Sequence, residues 1–301
     1  MMDAPDSVLP KKNQTRLVTV GNDPKKQGFQ PTPCQVEWAV DQAVVGTLNK
    51  GASRAANWKN TGMAAYAPQS LFPPTSMTGG SGEDWHVPAQ VMLGVTAQES
   101  NMWQATRLAV PGVTANSLIG NFYGIEYSSS GEQTDPGAIN FAEAECGYGI
   151  TQVTDGMRMH GKEKEGEQPK TTQQQEAVAL DFAANIAAGV NILIEKWNDT
   201  RKDGPIINDG HPKYIENWLY ALWAYNSGYY AKSSPQNGKW GVGWTNNPAN
   251  PLWKENRTPF LEAANGTDDY SHASHPQDWP YEEKVIGWAA RPMPPCSNRR
   301  T

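Results

Sequence analysis

The stretch from about Thr172 to Asp199 constrains the fold most. Ala179, Phe182, Ala183, Ile186, Val190, Leu193 and Trp197 recur along it at three- and four-residue steps, the apolar stripe of one long amphipathic helix. Shorter helices are expected around it. In CQVEWAVDQAVVGTLN, residues 34–49, Val36, Val40, Ala43 and Val44 share one face. Pro88 opens VPAQVMLGVTAQES in a first helical turn, where its missing N–H costs nothing. Ile215, Trp218, Leu219 and Leu222 mark the buried side of a helix over 213–226. A last one, PYEEKVIGWAA, begins at Pro280 and stops before Arg291 and Pro292. Strand signals are weak and no internal repeat is present, so the sequence predicts a mainly α fold with long loops.

Residues 1–33 are polar, contain Pro and Gly and lack periodicity, which predicts a loose N-terminal arm. A helical extension and linker follow over 34–86, Pro/Gly/Ser-rich from 61 onward. The main domain is expected over 87–290, with a tail at 291–301. Within that domain, residues 104–146 are broken by Pro111, Gly112, Gly120, Gly124, Gly131 and Pro136, and so long an excursion is usually functional.

A chain of 301 residues, 38% hydrophobic and 19% charged, can bury a core. Its net charge of −6 argues against a nucleic-acid binder, which needs basic patches for phosphates. No stretch approaches the roughly 20 apolar residues of a membrane span. The N-terminus lacks the apolar h-region of a signal peptide. That leaves an intracellular protein, one trimmed of its signal, or a module of a larger secreted protein. Cys34, Cys146 and Cys296 allow one disulfide, in any of three pairings.

Three short segments carry candidate chemistry. Gln98-Glu99-Ser100 ends an apolar helix, and Met92 and Val95 lie seven and four residues before Glu99, on its face. Met102 and Trp103 add to an apolar setting for that carboxyl. Such a pocket disfavours the anion, as a proton donor working near neutral pH requires. The second segment is Cys146-Gly147-Tyr148-Gly149-Ile150-Thr151-Gln152-Val153. Its glycines permit close backbone approach, while Ile150, Thr151 and Val153 favour a short extended piece. The third, Ala224-Tyr225-Asn226-Ser227-Gly228, ends a helix with Asn and Gly at its C-terminus.

In this order the three resemble the lysozyme-like soluble lytic transglycosylases and their goose-type lysozyme relatives. Those proteins carry a Glu-Ser helix end, a Gly-Leu-Met-Gln segment and an Ala-Tyr-Asn-Ala-Gly helix end. The counterparts are Glu99-Ser100, Gly149-Ile150-Thr151-Gln152 and Ala224-Tyr225-Asn226-Ser227-Gly228, within about residues 87–230. Ile150-Thr151 replaces Leu-Met, and Ser227 replaces the second Ala. The resemblance implies a lysozyme-like fold whose cleft lies between the Glu99 helix and an extended segment at 147–153. It further implies cleavage of the MurNAc–GlcNAc β-1,4 bond of peptidoglycan strands, without cofactor or metal. Glu99 would protonate the leaving oxygen and then act as base while the muramic C6 hydroxyl attacks C1. Tyr225 would hydrogen-bond and orient Glu99, and Gln152 and Asn226 would hold sugar or local backbone. Ser100 and Tyr148 complete the motif positions expected to line the substrate. A monomer outside the membrane, secreted or in the envelope, follows from that reading.

Twelve Trp and 11 Tyr against 6 Phe suit sugar stacking as well as packing. Trp103, Trp240, Trp244, Tyr229 and Tyr230 are the candidate stacking residues. Two rival functions remain. One is a hydrolytic muramidase using Glu143, Glu145 or Asp155 to position water; Thr154, standing where related lysozymes carry a carboxylate, weakens it. The other is a non-catalytic glycan-binding module of the same fold. His272 and His275 with Asp268 and Asp269 imitate a metal site only weakly, in what reads as a polar loop.

Overall fold

The structure, a computed structural model, describes residues 28–105, Ser128, Asn140, 146–163, 166–204, 206–235, 240–242 and 279–291. Among these the protein is mainly helical. In chain order the helices are α1 (Pro33–Val44), α2 (Pro68–Leu71), α3 (Ala89–Ser100), α4 (Thr172–Leu180), α5 (Phe182–Asp203), α6 (Leu219–Ser227) and α7 (Tyr281–Ala290). One antiparallel pair, β1 (Tyr229–Tyr230) and β2 (Gly241–Val242), joins Tyr229 to Val242 and Tyr230 to Gly241. No described helix is long and apolar enough to cross a membrane.

α1 begins where the sequence signals it. Thr32 accepts from Gln35 N while the Gln35 side chain accepts from Thr32 N, a reciprocal cap ahead of Pro33. Val36, Ala39, Val40, Ala43 and Val44 are buried, as their spacing predicts. Pro88 sits one position earlier than expected, as the N-cap of α3.

The long helix is really two. Asp181 takes extended angles (φ −116°, ψ 109°) and divides α4 from α5. Its carboxylate caps α5 at Ala183 N (3.1 Å), and accepts from Arg54 Nη2 at 2.8 Å and the Tyr66 hydroxyl at 3.2 Å. Those partners, not local propensity, break the helix. The expected helix over 213–226 likewise begins as a 3-10 turn, Ile215–Trp218, before α6.

α5 is the central element. Every residue from Phe182 to Val190 is buried, as in a helix packed on all sides, and Trp197 meets Trp218 at 4.3 Å between ring centroids. The Pro/Ser-rich connection lies along it: Asn191 bonds Pro73 O and Thr75 N, and Asn198, two turns on, bonds Ser76 O and Thr78 N. One hydrophobic core runs from Val36 to Val285, so the 34–86 extension and the last helix share it. The end of the expected loose arm is also fixed, with Phe29 N donating to Leu180 O at 2.9 Å and its ring stacked on Phe182. Cys34 is disulfide-bonded and Cys146 is not, which excludes the pairings that use Cys146.

The tightest helix pair is α3 with α7. A Cβ on Gly94 would stand 2.7 Å from the Val285 carbonyl, so only glycine admits this approach. Tyr281, Val285 and Ala289, at four-residue steps, form the buried face of α7.

Candidate active site

Glu99 lies in the last turn of α3, only 4% exposed, one turn beyond the fully buried Val95. The helix ends one residue later, at Ser100, because Asn101 and Met102 take left-handed angles. Met102 and Trp103, expected in its apolar surroundings, are half-buried. A carboxyl so enclosed requires polar partners. The Tyr281 hydroxyl supplies one, donating to Glu99 Oε1 at 2.7 Å from the first turn of α7.

Ser100, the next residue, is 3% exposed and turned to the Gly-rich segment, where its Oγ donates to Ile150 O at 2.8 Å. The next carbonyl, Thr151 O, accepts from the Tyr225 hydroxyl at 2.6 Å. Two successive peptide oxygens thus join the ends of α3 and α6. The three segments singled out in the sequence meet here.

The Gly-rich segment is a tight turn rather than the expected extended piece. Tyr148 and Val153 exchange backbone bonds of 3.0 Å, while Ile150 and Thr151 lie in the turn between them. Gly149 (φ +75°) and Gln152 (φ +47°) take left-handed angles that reverse the chain. Asn185 of α5 holds the turn: Nδ2 donates to Tyr148 O at 2.7 Å and Oδ1 accepts from Thr151 N at 2.8 Å. Gln104 adds a second support, accepting from Ile150 N at 3.3 Å and donating to Val178 O at 2.8 Å. The β-preference of Ile and Thr yields to this buried polar clamp.

Two roles therefore differ from the sequence reading. A hydroxyl has one proton to give, and Tyr225 gives its proton to Thr151 O, not to Glu99; Tyr281 is the phenol that donates to the carboxyl. Burial first, and then the Glu99 charge, push both phenols well above their ordinary pKa, so each remains a donor. Ser100, expected at the substrate, is tied to the main chain, whereas Gln152 takes the second of its two expected uses and holds local backbone. Gln152 Nε2 donates to Gly149 O at 2.8 Å.

Tyr148 is half-buried beside this turn, and Asn226, exposed at the end of α6, accepts from Ser227 Oγ at 3.1 Å. Trp240 is 37% exposed beside β2, with Lys232 Nζ 5.4 Å from its ring centroid. Asp155 is exposed just past the turn, and its charge contributes to the upward push on Tyr225. Glu143, Glu145, Trp244, Asp268, Asp269, His272, His275 and Cys296 lie outside the described residues.

Sequence reading did not single out Tyr281, Asn185 or Gln104. Asn185 had a signal, a polar residue inside the apolar run DFAANIAAGV, where it is fully buried. Tyr281 had a fainter one, since it shares the four-residue spacing of Val285 and Ala289. Compared with protein-family models, curated proteins and solved structures, the chain matches none.

Proposed function

We propose that the protein is a peptidoglycan lytic transglycosylase of lysozyme-like fold, with Glu99 as its acid and base. The observation that carries this reading is the set of bonds around one buried carboxyl: Tyr281 donates to Glu99, while Ser100 and Tyr225 tie the ends of their helices to Ile150 O and Thr151 O of the Gly-rich turn. Holding a carboxyl in an apolar setting, fixed by a donor that does not itself ionise, suits general acid chemistry near neutral pH.

In the neutral acid, the Oε1 that accepts from Tyr281 is the carbonyl oxygen, so the transferable proton rests on Oε2. That proton passes to the glycosidic oxygen as the C1–O bond breaks. The C6 hydroxyl of the same muramic residue then attacks C1 and returns its proton to Glu99. The product ends in 1,6-anhydroMurNAc, and no water is consumed. The C6 hydroxyl has the advantage of an intramolecular nucleophile over unactivated water. The substrate is the peptidoglycan glycan strand and the site of action the cell envelope or beyond. The protein acts as a monomer without cofactor.

A second reading, hydrolysis, rests on Asp155, the candidate base among the described residues, which is exposed just past the Gly-rich turn. Digestion of purified peptidoglycan in ¹⁸O-labelled water separates the two. Transglycosylation leaves the new ends unlabelled and lighter by one water. Predominantly labelled reducing ends would replace it with a muramidase, and binding without turnover would leave a glycan-binding module.

A further inference from the structure

A cavity of about 290 Å³ lies in the part of the fold contributed by residues 28–58 and the start of α5. Trp38, Trp58, Phe29, Gln35 and Arg54 line it, and none of them belongs to the Glu99 cluster. We propose that it is a second saccharide site, which takes one hexopyranose unit bearing an acidic substituent. This rests on the glycan-strand reading above and extends it to a site that performs no chemistry.

The apolar side of the cavity is aromatic. Trp38 is 40% exposed, and a Cβ on Gly51 would stand 2.6 Å from its Cζ2, so the ring is backed by main chain. Phe29, 41% exposed, is held by its stack on Phe182 at 5.7 Å. Rings fixed before the ligand arrives lose little freedom when it binds.

The polar side is Arg54. Its Nη2 is committed to Asp181 at 2.8 Å and its Nη1 to Ser53 O at 3.0 Å, while its Nε is buried and no described residue accepts from it. That Nε is closed to solvent, so what Arg54 offers the cavity is the charge of its guanidinium. The guanidinium and the Lys59 ammonium lie 5.0 and 5.2 Å from the Trp58 ring centroid. Two cations against the single Asp181 carboxylate leave a positive balance, which favours a carboxylate on the ligand. Asp181 itself is fully buried and already accepts from Arg54, Tyr66 and Ala183. A pyranose offers C–H faces for the rings and oxygens at its edge, and a single ring suits the volume. Muramic acid, with its lactyl carboxylate, combines these features in the proposed substrate.

The test is titration of the full-length protein with N-acetylmuramic acid and, separately, N-acetylglucosamine, following the indole N–H resonance of Trp38. Monosaccharides present no bond to cleave, so turnover does not intervene. N-acetylmuramic acid should shift the resonance saturably, with affinity about tenfold tighter than N-acetylglucosamine. Gly51→Ala, which drives the ring toward the cavity, should abolish the shift, and Trp38→Ala should abolish the corresponding heat in calorimetry. No saturable shift up to about 10 mM, equal affinity for the two sugars, or indifference to both substitutions would overturn the proposal. Anhydro products from a protein with no Trp38 response would remove only this site. A Trp38 response in a protein without turnover would remove only the enzymatic reading.

Discussion

Gly149→Ala measures how firmly the Gly-rich turn is held. At φ +75° an alanine costs about 1–2 kcal/mol relative to glycine, whatever surrounds it. The larger part is steric. The added Cβ would overlap the Asn185 amide nitrogen and stand 2.6 Å from Asn185 Cγ and 2.7 Å from Gln104 Nε2. Asn185 cannot retreat intact, because its amide bonds Tyr148 O at 2.7 Å and Val178 O at 3.1 Å and accepts from Thr151 N at 2.8 Å. Each buried group left without a partner costs about 1–3 kcal/mol, so one or two stranded groups bring the total to about 2–8 kcal/mol. Gly62→Ala is the control: its φ is +77° and nothing lies within 4 Å of the added Cβ. Urea unfolding of both variants, extrapolated linearly to water, gives the two losses. Gly149→Ala should lose at least about twice as much as Gly62→Ala. Equal losses would refute the clamp.

Glu99→Gln should lower turnover of peptidoglycan by about 10²–10⁴-fold while circular dichroism and melting remain close to wild type; retention of more than about a tenth of the rate would remove Glu99 from the mechanism. Tyr281→Phe deletes the donor to Glu99 and should slow turnover by about 10–100-fold, an effect that disappears in a Glu99→Gln background; additive losses would detach Tyr281 from Glu99. Glu282, 6% exposed on α7, has its pKa pushed up to about 7, mainly by burial. The folded state therefore holds this proton more tightly than the unfolded chain, whose ordinary value is 4.5. The resulting stability is full below about 4.5 and is lost as pH rises through about 7, some 3 kcal/mol in all. Glu282→Gln should flatten that decline, which unfolding midpoints at about pH 5 and about pH 8 will show; an unchanged slope would place the titration elsewhere.

The helices were legible where one face is apolar, as in α1 with Val36, Val40, Ala43 and Val44. They were not legible where distant residues decide. Around Asp181 the sequence offers only a cap residue inside an otherwise continuous helical pattern, and its partners Arg54 and Tyr66 lie 127 and 115 residues away. The site divides in the same way. Motif order brought Glu99, Ser100, Ile150, Thr151 and Tyr225 into view together, since each ends or reverses an element. Which phenol serves the carboxyl was hidden, because Tyr281 is 182 residues from Glu99 and outside the 87–230 resemblance. Side-chain roles were hidden too. Ser100 looks like a ligand-facing polar residue in sequence, but the buried carbonyls of a tight turn require donors, and Ser100 is within reach of one.

The carboxyl and its supports come from widely separated parts of the chain. α3 provides Glu99, α5 anchors the turn through Asn185, α6 provides Tyr225 and α7 provides Tyr281. Because α7 meets α3 closely at Gly94, a shift there moves the Tyr281 hydroxyl relative to Glu99 Oε1. Packing at Gly94 and geometry at Glu99 are thus one mechanical unit. The same core that holds α3 and α7 together also contains α1, whose Trp38 borders the second cavity. A glycan strand engaged at both places would be gripped by a single rigid body, so its position over Glu99 would be set by the core rather than by loops. Fixing a scissile bond within a fraction of an ångström of an acid is the purpose such rigidity serves in catalysis by proximity.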